Sequence, residues 1–183
     1  MKGSLVKIIA VALPLAGLAG LWVQSDYLSR QGTDWQVPVQ GYDPRDLLRG
    51  HYVEFAYDWP LEAETAGEED ADYEIIPTRM CLYGDAPVIE RVEIVRDDAA
   101  LARCDHPIQA FPNGVYGYQG LERGRLYVGQ DRALELEREL AETDQRGIVT
   151  FRQREDGVLT PLDITFRPLT EEEIAERDAP DEE

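Results

Sequence analysis

An apolar run near the amino terminus sets the first constraint on how this chain can be organised. The run, LVKIIAVALPLAGLAGLWV at residues 5–23, contains one charged residue, Lys7. As an α-helix it would be about 28 Å long, close to the thickness of the hydrocarbon layer of a membrane. We therefore expect residues 1–24 to form a single transmembrane helix that anchors the rest of the chain.

Charged residues on the two sides of this run predict its orientation. Lys2 and Lys7 lie at the amino-terminal end and Asp26 follows the run, and positive charge favours the cytoplasmic side of a membrane. The expected location is the inner (cell) membrane, single-pass, with the amino terminus cytoplasmic and the domain periplasmic. A cleaved signal sequence is the alternative, since residues 17–19 are Gly-Leu-Ala. The anchor is favoured because the apolar run continues to Val23.

The remaining residues predict a β-rich α+β domain outside the cytoplasm. Hydrophobic residues make up 43% of the chain, enough for a buried core. We expect a polar tether at residues 25–40, the folded domain at 41–169, and an acidic tail at 170–183 that starts with a helical turn capped by Thr170. The formal net charge of -19 opposes binding to nucleic acid, which is itself anionic.

Hydrophobic periodicity predicts one main amphipathic helix, at residues 131–147, with Leu136 and Leu140 on its apolar face and Gly147 as its end. Residues 114–129 predict a strand, a turn and a second strand, because Gly120 and Gly124 surround the reversal. The other expected elements, in chain order, are an acidic solvated loop at 62–72, strands within 73–84 and 87–96, a short helical turn or irregular return at 97–106, and a hairpin at 148–169 that turns at Asp156 and Gly157.

The stretch YDPRDLLRGHYVEFAYDW, residues 42–59, predicts an entry turn followed by a strand. Apolar and polar residues alternate, which places Val53, Phe55 and Tyr57 on a buried face and Tyr52 and Glu54 on the opposite face.

Arg45 and Arg49 flank the entry to this strand. Arginine makes planar, bidentate contacts to carboxylates. We expect these arginines and the polar face of the strand either to fix the entry turn to neighbouring acids or to contact a partner.

Two cysteines, Cys81 and Cys104, predict a disulfide bond, because an isolated pair in an exported domain is oxidised. The alternative is a metal site that combines both cysteines with His51 and His106. It is disfavoured because zinc ligands occur in closely spaced pairs, and Cys-Asp-His alone is a poor match.

Catalytic groups are sparse in the expected domain, so a noncatalytic role is favoured. Ser4, Ser25 and Ser29 all lie in the anchor or the tether, and neither lysine lies in the domain, which excludes a serine–lysine dyad. A pair of Cys104 and His106 is disfavoured by the disulfide. Paired carboxylates remain the alternative, as in an envelope hydrolase, although 37 acidic residues do not single out a pair. No glycine-rich phosphate loop is present, so no cofactor is expected.

The stretch RGHYVEFAY resembles the GDYXXLXY family of bacterial membrane-anchored proteins, whose name spells the motif Gly-Asp-Tyr-x-x-Leu-x-Tyr. Gly50, Tyr52 and Tyr57 match the motif, whereas His51 stands in the place of the aspartate and Phe55 in the place of the leucine. The segment RLYVGQDRALELERE, residues 125–139, is similar to a second block of that family, with a glycine where a proline is expected.

The resemblance implies a membrane-anchored domain of unknown biochemical activity, often encoded beside polytopic membrane proteins, and it supplies no catalytic residues. The histidine at position 51 argues against a catalytic base there and fits a turn-capping role, since neutral imidazole can accept a hydrogen bond. We expect a noncatalytic binding or accessory partner of an envelope or polytopic membrane protein.

Overall fold

The computed structural model describes residues 2–41, 52–61 and 77–178. The chain divides into two compact units, Met1–Gly32 and Thr33–Glu183. The second unit is an α+β domain built from two antiparallel sheets and short helices.

The first unit is a helix, α1, at Lys2–Ser29, with Pro14 inside it. The helix therefore continues beyond the predicted anchor boundary at residue 24. Within the part of the chain that the structure describes, no helix combines the length and hydropathy of a membrane-spanning segment.

The second unit contains strands in two sheets. The strands are, in chain order, β1 Thr33–Gly41, β2 Tyr52–Tyr57, β3 Arg79–Tyr83, β4 Arg91–Ile94, β5 Pro107–Gln109, β6 Arg123–Tyr127, β7 Gln145–Gln153 and β8 Leu159–Pro168. The larger sheet has the order β6-β2-β1-β7-β8, and the smaller has the order β4-β3-β5. The order places β6 and β8 at the two ends of the larger sheet. Every pairing between these strands is antiparallel.

Short helices lie between the strands and after β8. They are α2 Asp98–Leu101, a 3-10 helix at Gly117–Leu121, α3 Gln130–Leu140 and α4 Glu171–Arg177. The main helix, α3, buries Ala133 and Leu136. It packs against β1, β2 and β7, and thereby covers the middle of the larger sheet.

A single buried cluster joins the two sheets and α3. Its largest fully buried side chains include Trp35, Phe55, Phe151, Met80 and Leu136. The rings of Phe55 and Tyr57 meet edge to face with centroids 5.2 Å apart. Burial of large rings supplies most of the hydrophobic stabilisation in a core of this kind.

Several predicted elements are confirmed by the structure. β2 alternates between partly exposed and buried residues as predicted, with Val53, Phe55 and Tyr57 inside. The β7–β8 hairpin turns at Gly157, whose φ of 80° is easily adopted only by glycine. The helical turn at residue 170 is also present, as α4.

The predicted tether at residues 25–40 is wrong, because Thr33–Gly41 forms the central strand of the larger sheet. Polar residues and Pro38 on one face of this strand make its sequence resemble a loop. Trp35 and Val37 on the other face are completely buried. Pro38 is tolerated because it lies opposite Asp58, just beyond the end of β2, where its carbonyl accepts a hydrogen bond from the Asp58 amide.

Two other predicted elements are corrected. Within residues 114–129, the first expected strand is instead the 3-10 helix Gly117–Leu121, and the second is β6. The main helix ends at Leu140 and not at Gly147, which is part of β7. A Cβ at position 147 would lie 2.8 Å from a methyl of Leu140, so this glycine permits close packing of α3 on the sheet.

Candidate functional site

The two sequence blocks that carry the family resemblance are neighbouring strands. β2 pairs with β6 so that Glu54 lies opposite Arg125 and Tyr52 lies opposite Tyr127. Directly opposed residues of an antiparallel pair place their side chains on the same face of the sheet. The outward-facing residues of both blocks therefore form one cluster.

Arg125 is the centre of this cluster. Its guanidinium carbon lies 3.8 Å from the ring centroid of Tyr52, and its terminal nitrogen forms an ion pair with Glu54. Its Nε donates a hydrogen bond to the hydroxyl of Tyr116, at 3.2 Å. The side chains of Arg125 and Glu54 are 18% and 19% exposed, so the pair is shielded from water on most sides.

Contacts within this cluster shift the pKa values of Arg125 and Tyr116. Burial lowers the pKa of the Arg125 guanidinium, but hydrogen bonds with Tyr127, Glu54 and Tyr116 more than compensate and raise it above its ordinary value. Burial, reinforced by a hydrogen bond to Glu54, raises the pKa of the Tyr116 phenol to about 12. At neutral pH the guanidinium is charged and the phenol protonated, and the cluster acts as a fixed hydrogen-bonded assembly.

A groove of about 410 Å³ lies beside this cluster, where the two end strands of the larger sheet come near each other. β6 and β8 both line it, together with the segment before β6. Its lining residues are Tyr57, residues 109–111, residues 114–117, Gly120, residues 123–127 and residues 158–162.

The groove combines an apolar surface with two arginines, of which Arg125 is ion-paired with Glu54. Phe111, Val115, Tyr127 and Leu162 line it while 39–63% of each side chain remains exposed. Its charged lining residues, among those that the structure describes, are Arg123 and Arg125, with no aspartate or glutamate. The chain as a whole carries a net charge of -19, so the described lining of the groove lacks the acidic side chains that are abundant in the rest of the sequence.

A second groove, of about 380 Å³, has a different character. It lies between the end of α3 and α4 and is lined by polar residues, including Asp58, Arg146 and Glu173. Arg146 forms ion pairs with both of these acids. Because Arg146 belongs to β7 and Glu173 to α4, their ion pair connects α4 to the larger sheet.

Cys81 and Cys104 lie at disulfide-bonding distance, with Cα atoms 5.8 Å apart. The pair joins β3 to the segment between α2 and β5. The His106 ring contacts the buried Trp35 edge to face, with centroids 5.0 Å apart. Among the described side chains, no three potential metal ligands come together.

The structure separates the predicted motif residues by face. Tyr52 and Glu54 belong to the outward cluster, whereas Phe55 and Tyr57 lie in the core. Burial raises the pKa of the Tyr57 phenol, and nearby Tyr116 adds to the effect. The remaining predicted motif residues, Arg45, Arg49, Gly50 and His51, lie outside the described residues.

Arg125, Tyr116 and Tyr127 belong to the site but are not among the site residues predicted from the sequence. Arg125 and Glu54 are 71 positions apart, and only the β2–β6 pairing brings them together. The sequence does contain one signal for this pairing, since Glu54 and Arg125 each lie in one of the two segments that resemble the family.

One comparison with known proteins finds a match that contains both blocks. A family model described as GDYXXLXY protein matches residues 14–164. No curated protein and no solved structure matches the chain. Because the family match covers well over half of the 183 residues and includes both β2 and β6, the chain belongs to the GDYXXLXY protein family.

Proposed function

We propose that this chain is a membrane-anchored periplasmic domain that binds an integral membrane protein of the envelope and performs no chemistry itself. The observation that carries this proposal is the groove between β6 and β8, with its exposed aromatic and aliphatic side chains and two arginines. Apolar surface that remains exposed around a concave site is typical of protein-binding surfaces.

The amino-terminal helix supports the membrane part of the proposal. The sequence from residue 5 to residue 23 is apolar apart from Lys7. Large apolar side chains along α1 are more than half exposed: Val11, Leu13, Leu15, Leu18, Leu21, Trp22 and Val23. Lipid would remove these side chains from water, and Trp22 would lie at the interface.

The character of the groove favours binding over hydrolysis. A carboxylate-dependent hydrolase, the alternative function, needs two acids facing one cavity. In the part of the chain that is described, the β6–β8 groove is lined by arginines and not by acids. A screen of the full-length protein against glycans and esters tests this point, and turnover that exceeds the background would contradict a noncatalytic role.

Photo-crosslinking in intact membranes tests the proposed partner site. A photoreactive amino acid at Val115, which is 63% exposed in the groove, should crosslink to one recurrent integral membrane protein. Leu134 is the matched control, since it is 52% exposed on α3 and away from the groove. The crosslink from position 115 should be lost when Tyr127→Ser is added. Identical crosslinks from positions 115 and 134, or none from position 115, would overturn the proposal.

A fusion test addresses topology. Alkaline phosphatase inserted after Gly32, between α1 and β1, should be active because that enzyme requires an oxidising compartment. Carbonate washing should leave the native protein in the membrane. An inactive fusion would contradict the periplasmic location, and release by washing would contradict the anchor.

A further inference from the structure

The groove between β6 and β8 has a buried floor as well as an exposed rim. The rim consists of the exposed side chains described above, such as Val115 and Tyr127. Tyr57, Gly124 and Leu126 form the floor, and only 9% of Tyr57 and 4% of Leu126 are exposed. A concave, mainly apolar site of about 410 Å³ has the size of sites that enclose small molecules.

A polar group, the hydroxyl of Tyr57, belongs to this floor. A Cβ at Gly124 would lie 2.7 Å from the hydroxyl oxygen, so the hydroxyl end of the ring is the part that reaches the groove. Of the residues that the structure describes, none forms a hydrogen bond with this hydroxyl. Trp35 Nε1 and Arg146 Nε are completely enclosed without a partner, whereas the Tyr57 hydroxyl is not enclosed. The hydroxyl is therefore free to bond to a molecule in the groove.

The chemistry of this hydroxyl favours a ligand that accepts a hydrogen bond. Burial raises the pKa of the Tyr57 phenol, so the hydroxyl is protonated at neutral pH and can donate. A largely buried polar group without a partner destabilises the fold, and a ligand carbonyl would provide the missing partner.

The charges beside the groove are already paired. Arg125 forms an ion pair with Glu54, and Arg123 also has a partner. The described lining contains no acid that could hold a cation. A charged ligand would lose its hydration without gaining a free counterion, which is unfavourable. The groove is consequently suited to an uncharged ligand.

We propose that the floor of this groove binds an uncharged, apolar small molecule with a carbonyl group, and that the Tyr57 hydroxyl donates a hydrogen bond to that carbonyl. The apolar body of the ligand packs between Leu126 of β6 and Leu159 of β8, which line the groove from its two sides. This inference goes beyond the proposed function, which assigns the exposed side chains of the groove to a partner protein.

Three probes of nearly equal shape separate the effect of charge from that of the hydrogen bond. Benzylacetone carries a ketone, butylbenzene has a methylene in place of its carbonyl, and hydrocinnamate has a charged oxygen in place of its terminal methyl. Each competes with benzophenone, an uncharged aromatic ketone that attaches to nearby side chains under ultraviolet light. The full-length protein in phosphatidylcholine nanodiscs is labelled, and mass spectrometry locates the attachment.

We expect benzophenone labelling to saturate within residues 123–127, which line the groove. Benzylacetone should compete at concentrations at least about tenfold lower than hydrocinnamate, since a carboxylate is costly to bury. The preference for benzylacetone over butylbenzene should fall about fivefold in Tyr57→Phe, the usual effect of one hydrogen bond. Comparison of the two variants cancels the partition of each probe into lipid. Tyr127→Phe is the matched control, because it removes a hydroxyl from the rim and should leave that preference unchanged.

Three results would overturn the inference: labelling of the groove that does not saturate, equal competition by benzylacetone and hydrocinnamate, or an unchanged preference in Tyr57→Phe. Reduced stability of Tyr57→Phe to urea would also overturn it, since the hydroxyl would then have a partner within the protein. The proposed function is tested separately. If position 115 crosslinks to a partner while benzylacetone does not bind, only the small-molecule site is wrong. If benzylacetone binds as expected while position 115 yields no crosslink, the small-molecule site stands and the proposed function fails.

Discussion

At the scale of single residues, Gly124 determines how the aromatic side chains of β2 pack against β6. A Cβ at this position would lie 2.5 Å from Cζ of Phe55 and 2.7 Å from the hydroxyl oxygen of Tyr57. Both rings belong to the core, and Phe55 is completely buried. The absence of a side chain at position 124 thus allows the motif residues to cover β6 directly.

The Gly124→Ala variant should be destabilised by about 1–3 kcal/mol, because an added methyl in a packed core forces its neighbours to move. The free energy of unfolding in urea measures the effect. Gly120→Ala is the control, since its Cβ would lie 3.9 Å from that of Ala110, an ordinary contact distance. Equal stability of the two variants would show that β6 does not pack closely on Phe55.

The face of a sheet on which a side chain lies can be predicted from the sequence, because it depends on a single strand. Alternation along β2 is sufficient to place Tyr52 and Glu54 on one face of the sheet and Phe55 on the other face. The role of Arg125 depends on strand pairing and on the Tyr116 hydroxyl, which comes from a separate segment. Contacts across a sheet are fixed by the whole fold, so a local pattern does not contain them.

At the scale of elements, α4 shows how local hydrogen bonds define a helix start. The Thr170 hydroxyl accepts a hydrogen bond from the Glu173 amide, and the Glu173 carboxylate accepts one from the Thr170 amide. Such reciprocal capping satisfies amides that lack a partner inside the helix. Arg167 of β8 also donates two hydrogen bonds to Glu173.

These contacts make the docking of α4 sensitive to acid. Hydrogen bonds from Arg167, assisted by Thr170, lower the pKa of Glu173 from 4.5 to about 2. A lowered pKa stabilises the folded state fully above pH 4.5, and this contribution is lost as the pH falls from 4.5 towards 2. Since the Arg167 side chain is 36% exposed, solvent screens the pair. Its contribution should be about 0.2–1 kcal/mol, and the effect should be local and not global.

Hydrogen exchange of the α4 amides at pH 6 and pH 2 measures this loss. We expect Glu173→Gln to reduce protection at pH 6 and to differ less from the wild type at pH 2. Glu172→Gln, at an exposed position on the same helix, should match the wild type at pH 6. A loss of protection at pH 6 that is the same in both variants would contradict the role of Glu173.

Prediction of elements was least successful where composition and burial disagree. β1 contains Asp34, Gln36 and Pro38, which resemble a tether, yet Trp35 and Val37 on its other face are completely buried. Residues before β6 contain glycine and tyrosine in an alternation typical of strands, but backbone hydrogen bonds such as that from Gln119 to Tyr116 close a 3-10 helix instead. Tertiary packing decides both cases.

At the scale of the whole molecule, the disulfide links the smaller sheet to the segment after α2. Cys81 and Cys104 are 23 positions apart. In the chain-entropy model, closure of such a loop stabilises the folded state by about 3 kcal/mol.

The double variant Cys81→Ala/Cys104→Ala should therefore unfold at a lower urea concentration than the oxidised protein, with a loss of about 3 kcal/mol. Reduced wild-type protein is the control and should behave like the double variant. Mass spectrometry of protein isolated without reductant should find the two cysteine peptides linked. Two thiols that react freely with an alkylating agent would contradict the bond.

The central position of β1 has a mechanical consequence. The chain leaves α1 at Ser29 and enters the sheet at Thr33, opposite Gln153. It leaves the sheet at Pro168, opposite Gln145 at the other end of β7. A force applied between the two ends of the domain therefore acts along the strands. The hydrogen bonds of β1 are perpendicular to that force and are loaded together, in shear. The domain should consequently resist unfolding by sequential separation of its strands.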